Sequence, residues 1–256
     1  MVNDFDPDFF ADGGLRRLAE ADLCGLPRLD PEGVRFGACV SRPGKIVCIG
    51  LNYVDHAAEA SMEIPDEPLT FLKAPSSLCG ANDDLLLPIG GDQTDWEVEL
   101  GVVIGSTARY LADEESALRC IAGLCISNDV SERGFQLERG GQWSKGKSAE
   151  TFNPLGPYLV TLDEAPDLDD LHLQLAVNGQ VRQEASTKDM IFKVGEIIRY
   201  VSQFMVLEPG DVVNTGTPPG TGLGQDPHDY LVEGDLMEAR VTGLGAQRQR
   251  VVRARL

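Results

Sequence analysis

The chain has 256 residues, 42% of them hydrophobic, enough for one substantial core or a core with a small appendage. Asp and Glu total 41 against 22 Lys and Arg, a net charge of −19, and an acidic surface of that size repels nucleic acid and anionic membrane. It would equally repel an anionic small molecule, so a site for one must carry its own local positive charge.

Residues 1–44 open with MVNDFDPDFF, which lacks the basic stretch and apolar run of a signal peptide. They mix turn formers with one short helical pattern, GGLRRLAEADL, and read as an appendage to a main domain spanning 45–256. A short apolar strand, KIVCIG, then leads through a glycine into the helical NYVDHAAEA. On that helix His56 and Glu59 are three residues apart and share a face. A carboxylate bonded to an imidazole fixes its tautomer and raises its basicity, which suits a general base near neutral pH. An ordinary exposed pair on a surface helix is the plainer alternative.

After the strands LTFLK and DLLLP comes TDWEVELGVVIG. Strand alternation points Trp96, Val98 and Leu100 one way and Asp95, Glu97 and Glu99 the other. A solvated acidic face is the common explanation. Against it, Gly101 to Ile104 is apolar on both faces, so the strand is expected to enter the interior, where neighbouring acids repel unless a cation lies between them. A third carboxylate, Asp129, ends the strand GLCISND, after a helix, DEESALRCIAG, that starts on a capping Asp113. Oxygen ligands suit Mg²⁺, Mn²⁺ or Ca²⁺, and three histidines with no C-x-x-C pair argue against zinc.

Arg133 and Gln136 follow Asp129 closely enough to reach the same neighbourhood. ERGGQWSKGKSAETFNPLGP reads as a long polar loop whose Lys145 and Lys147 could supply positive charge, although most surface lysines do not. GPYLVT, LHLQLAVN and QVRQE read as strands, with Asn178-Gly179 as a hairpin turn. The helical VGEIIRYVSQFMVL stops at EPGD, and DVVNTG runs into the glycine-rich NTGTPPGTGLG. That loop has no Gly-Lys-Ser/Thr and no G-x-G-x-x-G, so it is not a nucleotide fingerprint. Its backbone N–H groups and Thr hydroxyls could bind a carboxylate. DLMEARV and AQRQRVVRARL close the chain as strands. Strands do not alternate regularly with helices, so the fold class is α+β and β-rich. The six cysteines are expected to be buried free thiols in a reducing cytoplasm.

GLNYVDHAAE, DWEVELGVVIG, NDVSER, KGKS and TGTPPG occur in the order found in the fumarylacetoacetate hydrolase family, which the chain resembles from RPGKIVCIG to its C-terminus. The resemblance implies a mixed β-sandwich roll and a homodimer or higher homo-oligomer. It implies Mg²⁺ (or Mn²⁺) on Glu97, Glu99 and Asp129, and a catalytic dyad of His56 and Glu59 on a short helix, within a lid of about residues 52–64 that orders over the site. Lys147 matches the family's active-site lysine, Arg133 and Gln136 line the same cavity, and Thr217 resembles a contact to the substrate's carboxylate. The family's N-terminal β-rich portion looks shortened here.

The implied activity is hydrolysis of a C–C bond in a 2,4-dioxo acid, a small anionic 2-oxo acid substrate, releasing pyruvate. The pattern is most similar to bacterial hydrolases of 2,4-diketo-3-deoxy-L-rhamnonate or L-fuconate, a branch often labelled ureidoglycolate lyase; the rhamnose route yields pyruvate and L-lactate. Related members hydrolyse acylpyruvates or fumarylpyruvate, decarboxylate oxaloacetate, or isomerise. Gln136, Arg139, Gln142, Trp143 and Ser144 suit a hydroxylated substrate tail, so a sugar acid is expected to be preferred to acetylpyruvate. A Ca²⁺-stabilised β module for binding is the non-enzymatic alternative, and the company of His56, Glu59 and Lys147 argues against it.

Overall fold

The computed structural model describes residues 4–22, 24–28, 30, 33–59 and 63–255. Fourteen strands are present among them: β1 (Ile46–Gly50), β2 (Leu69–Lys73), β3 (Leu78–Gly80), β4 (Leu85–Leu87), β5 (Thr94–Asp95), β6 (Val98–Ile104), β7 (Ile121–Asn128), β8 (Ser131–Glu132), β9 (Asn153–Leu155), β10 (His172–Val177), β11 (Gln180–Ser186), β12 (Val212–Asn214), β13 (Leu236–Val241) and β14 (Gly245–Arg253). The helices are short: α1 (Pro7–Ala11), α2 (Gly14–Ala19), α3 (Val54–Glu59), α4 (Glu114–Leu118), α5 (Arg133–Leu137), α6 (Ser144–Lys147) and α7 (Val194–Val201). None of the described helices is long and apolar enough to cross a membrane.

A seven-stranded mixed sheet runs β2-β1-β12-β6-β7-β9-β3, and a five-stranded sheet runs β11-β10-β13-β14-β4. Leu100, Val102, Leu124 and Ile126 on one face of the larger sheet share a core with Leu173, Leu175, Met237, Ala239 and Val251 of the smaller. The opposite face of the larger sheet packs Ile46, Cys48, Val103, Cys125 and Val212 against Phe9, Phe10 and Val40. Every residue of β6 is buried, which accounts for its being apolar on both faces beyond Glu99. Asn178 (φ 52) and Gly179 (φ 77) make the expected tight turn, with Val177 opposite Gln180.

Several sequence expectations shift. The strand read continuously through Asp95 breaks at Trp96 and Glu97; β5 pairs with β8, and β6 begins at Val98. GPYLVT is not a strand: Gly156 sits at φ 113, Pro157 has no N–H to offer, and Val160 alone bridges back to Leu124. The stretch read as one polar loop contains α6 and β9. At four residues α6 is too short to show a helical period, and its Gly146 packs so tightly that a Cβ would meet the Glu132 carbonyl oxygen at 2.5 Å. The helix predicted over DEESALRCIAG ends at Leu118, because IAG opens β7. Five of the six free cysteines are buried, but Cys24, outside any apolar run, is exposed.

Candidate active site

β6 and β7 are antiparallel neighbours with Val98 opposite Asn128, so their ends bring Glu97, Glu99 and Asp129 together. One oxygen from each carboxylate lies within 4.8 Å of the others, and all three residues are buried. Glu97 meets the Lys147 ammonium at 2.7 Å and the Arg133 guanidinium at 2.7 Å. Asp129 takes Lys147 on one oxygen at 2.8 Å and Lys73 on the other at 2.5 Å. Burial acts to raise the Glu97 carboxyl, but Lys147 and Arg133 outweigh it and hold the group below the ordinary carboxylate range. Glu99 differs: its Oε2 accepts from the Gly216 N–H at 2.7 Å, and burial together with Asp129 and Glu97 pushes its carboxyl well up.

The charges of this cluster can be counted. Asp95, Glu97, Glu99 and Asp129 face Lys73, Arg133 and Lys147, all at most 4% exposed, so carboxyl groups outnumber cations by one, and the charge that burial and the neighbouring carboxylates disfavour is that of Glu99. Asp95 belongs to the balance because Arg133 reaches it at 2.7 Å. An ionised Glu99 would leave surplus negative charge in a low-dielectric interior, and three convergent all-oxygen donors fit a hard divalent cation that would offset it.

α3 holds His56 and Glu59 on one face, Nδ1 to Oε2 at 3.5 Å. That is longer than a good hydrogen bond, and both Glu59 oxygens already accept from the Gly220 N–H, at 3.1 and 3.0 Å. Glu59 thus ties α3 to the glycine-rich loop as well as facing His56. The helix is also anchored at its start. Asn52, fully buried, donates to the carbonyls of Phe192 (3.0 Å) and Thr215 (2.8 Å) and accepts from the Phe192 N–H (2.8 Å). Replacing Asn52 with Ala orphans three buried backbone groups, and should lower stability by at least about 3 kcal/mol; urea unfolding of the variant measures this, and a loss below about 1 kcal/mol would refute the anchor. The lid expected over 52–64 includes residues 60–62, which lie outside the described residues.

One cavity of about 170 Å³ is lined by His56, Glu97, Glu99, Arg133, Gln136, Trp143, Lys147 and Thr217, which brings together eight of the residues singled out from the sequence. Asp129 pairs with Lys147 of that lining, and Glu59 faces His56 of it. Arg133 and Gln136 come from α5, with Arg133 donating to the Gln136 Oε1 at 3.0 Å. Trp143 packs edge-on against Phe71, centroids 5.3 Å apart. The Thr217 hydroxyl is committed within the protein, donating to the Val98 carbonyl at 3.0 Å and accepting from Gln183 at 2.8 Å. Of the groups expected to bond a hydroxylated tail, Arg139, Gln142 and Ser144 do not line the cavity; Ser144 donates instead to the Leu72 carbonyl at 2.6 Å. The remaining wall is apolar: Ile49, Leu51, Phe71, Leu137 and Leu223.

Lys73 and Gln183 were not foreseen. β2 inverts the usual pattern, with Leu69 and Leu72 exposed and Lys73 buried, where its Nζ also donates to the carbonyls of Val130 (3.1 Å) and Phe152 (2.7 Å). Hydrophobic alternation would place that lysine in solvent, and the sequence offers no signal to the contrary.

The model of the fumarylacetoacetate (FAA) hydrolase C-terminal family matches residues 45–252. A relative from Burkholderia multivorans, named no more narrowly than a hydrolase, is 51% identical over 249 residues, covering 97% of this chain and 88% of its own length. Among solved structures, maleylpyruvate hydrolase from Sphingobium sp. SYK-6, in complex with manganese(II) ion and pyruvate, superposes with a TM-score of 0.80 at 31% identity, over 97% of this chain and 86% of that one. A 2-hydroxyhepta-2,4-diene-1,7-dioate isomerase from Mycobacterium marinum gives 0.72 at 36% identity, over 82% and 75%.

Proposed function

Because the chain belongs to the fumarylacetoacetate hydrolase family, with its α+β, β-rich fold, we propose that it is an enzyme that hydrolyses a C–C bond of a 2,4-dioxo acid and releases pyruvate. The observation that carries this reading is a single cavity shared by an imidazole, a buried lysine and two of three convergent carboxylates. Mg²⁺ or Mn²⁺ on Glu97, Glu99 and Asp129 would supply Lewis-acid stabilisation of the negative charge that develops at the 2-oxo end. A silent Ca²⁺-stabilised module needs neither His56 nor Lys147 in that cavity.

The chain's own residues account for the rest. His56 takes a proton from water, whose oxygen adds to the carbonyl carbon at C4. The C3–C4 bond then breaks, its electron pair passes to C3 as the enolate of pyruvate, and C4 leaves as a carboxylic acid. Protonation at C3 completes the balance. Lys147 and Arg133, both buried, set positive charge beside the developing anion, where such charge counts for more than in bulk solvent. With its hydroxyl committed, Thr217 would meet the substrate's carboxylate through backbone N–H.

The tail of the substrate is a finer matter. Arg139, Gln142 and Ser144, three of the residues expected to favour a sugar-acid tail, lie off the cavity, and the wall is apolar, so the reading that fits best is a short acylpyruvate. The alternative is 2,4-diketo-3-deoxy-L-rhamnonate or L-fuconate. Lactate dehydrogenase coupling should register pyruvate release from acetylpyruvate with saturating Mg²⁺ and none with excess EDTA. A higher kcat/KM for the rhamnonate derivative would restore the sugar-acid tail. No pyruvate from either substrate, alongside an ultraviolet change with 2-hydroxyhepta-2,4-diene-1,7-dioate, would replace hydrolysis by isomerisation.

A further inference from the structure

We infer that Gln183 is a positioning residue that fixes the spacing of Glu97 and Glu99; the inference rests on the cation reading of those carboxylates. Gln183 lies on β11, at the edge of the smaller sheet, and is fully buried. Its Oε1 accepts from the Val98 N–H at 2.9 Å, and its Nε2 donates to the Thr217 Oγ1 at 2.8 Å and the Pro218 carbonyl at 2.8 Å. Thr217 Oγ1 in turn donates to the Val98 carbonyl at 3.0 Å. The three residues close a ring.

That ring matters because of where Val98 stands. Its N–H belongs to the peptide joining it to Glu97, and its carbonyl to the peptide joining it to Glu99. Both peptide planes between the two glutamates are therefore held by one circuit of side chains. On the other edge, the Glu97 carbonyl accepts from the Asp129 N–H at 2.9 Å, which sets the third carboxylate. The ring also explains why side chains are needed here. β12 pairs with β6 only as far as Asn214 opposite Gly101, and Thr215 still reaches the Leu100 carbonyl at 3.2 Å. At Gly216, with φ 100, the chain turns away. Continuing the register would set Thr217 opposite Val98, so the Thr217 and Gln183 side chains take the place of the backbone ladder that ends there. Gln183 is neutral, so removing it changes geometry and leaves the charge of the site as it is.

Gln183→Leu and Thr217→Val each open the ring at a different point. Mn²⁺ binding, followed by the electron paramagnetic resonance signal of free Mn²⁺, should weaken in each by roughly 10–100-fold, the usual cost of losing a group that orients a metal ligand. The double variant should be no weaker than the weaker single one, because both break the same circuit. A purely structural role would lower the melting temperature and leave Mn²⁺ affinity alone. Folded variants with affinity within twofold of the parent would overturn the inference, and should Gln183→Leu fail to fold, Thr217→Val decides the matter. Absence of Mn²⁺ binding in the parent protein would overturn the cation reading itself, and this inference with it.

Discussion

Glu99→Gln will lose divalent-cation binding and turnover together, while the fold survives. The substituted amide keeps an oxygen for the Gly216 N–H, so the local backbone is not disturbed. One of three anionic ligands is gone, and with it the Lewis-acid contribution, which at several kcal/mol is worth roughly three decades or more in kcat/KM. The metal-free variant should also melt at a higher temperature than metal-free parent. In the parent, burial and the neighbouring Asp129 and Glu97 disfavour a charge on Glu99, and a neutral side chain removes that repulsion. Calorimetric titration with Mn²⁺ and melting curves in EDTA test both halves. A variant that binds Mn²⁺ as the parent does and still turns over would remove Glu99 from the ligand set.

His56→Ala should act on a different quantity. Loss of a general base lowers kcat by about 10²–10⁴-fold, and cation affinity should stay at the parent value, because His56 stands on α3 and the carboxylates in or next to β6 and β7. Glu59→Gln should cost less than His56→Ala, since the 3.5 Å contact orients the imidazole without taking part in the proton transfer. Steady-state rates at saturating substrate decide the point. A His56→Ala protein with parental kcat would send the search for a base elsewhere in the cavity.

Two pairs in the site could be read from sequence because their members lie close together along the chain. Glu97 with Glu99, and His56 with Glu59, are neighbours whose geometry follows from strand and helix periods. Lys147 and Thr217 were reached through the motifs around them, not through any period. Lys73 and Gln183 were out of reach because their partners lie far off in sequence, 56 residues away for Lys73 and Asp129 and 85 for Gln183 and Val98. Lys73 further reverses the exposure that its strand pattern suggests. The strand composition sufficed for the fold class, but GPYLVT shows its limit. Apolar alternation marked a strand there, and Gly156 with Pro157 led the backbone off the sheet. The placing of Arg139, Gln142 and Ser144 beside the cavity failed for a related reason. Membership of a polar loop says nothing about which way each side chain points, and Ser144 turns to the backbone of β2.

β6 is buried from end to end between two neighbours, whereas Leu137, Trp143 and Leu223 come from α5, the start of α6 and the glycine-rich loop. The carboxylates and the apolar wall therefore come from different parts of the chain, although Arg133 and Lys147, which pair with those carboxylates, come from α5 and α6 beside Leu137 and Trp143. Exchanges of those three side chains can remodel the cavity wall while the carboxylates keep the groups that hold them, among them Arg133, Lys147 and the Gly216 N–H. A scaffold divided in this way is evolvable: it can acquire new substrates by drift at the rim without re-inventing its reaction. For directed evolution, the productive library lies at positions 137, 143 and 223, with the β6 and β7 carboxylates left untouched.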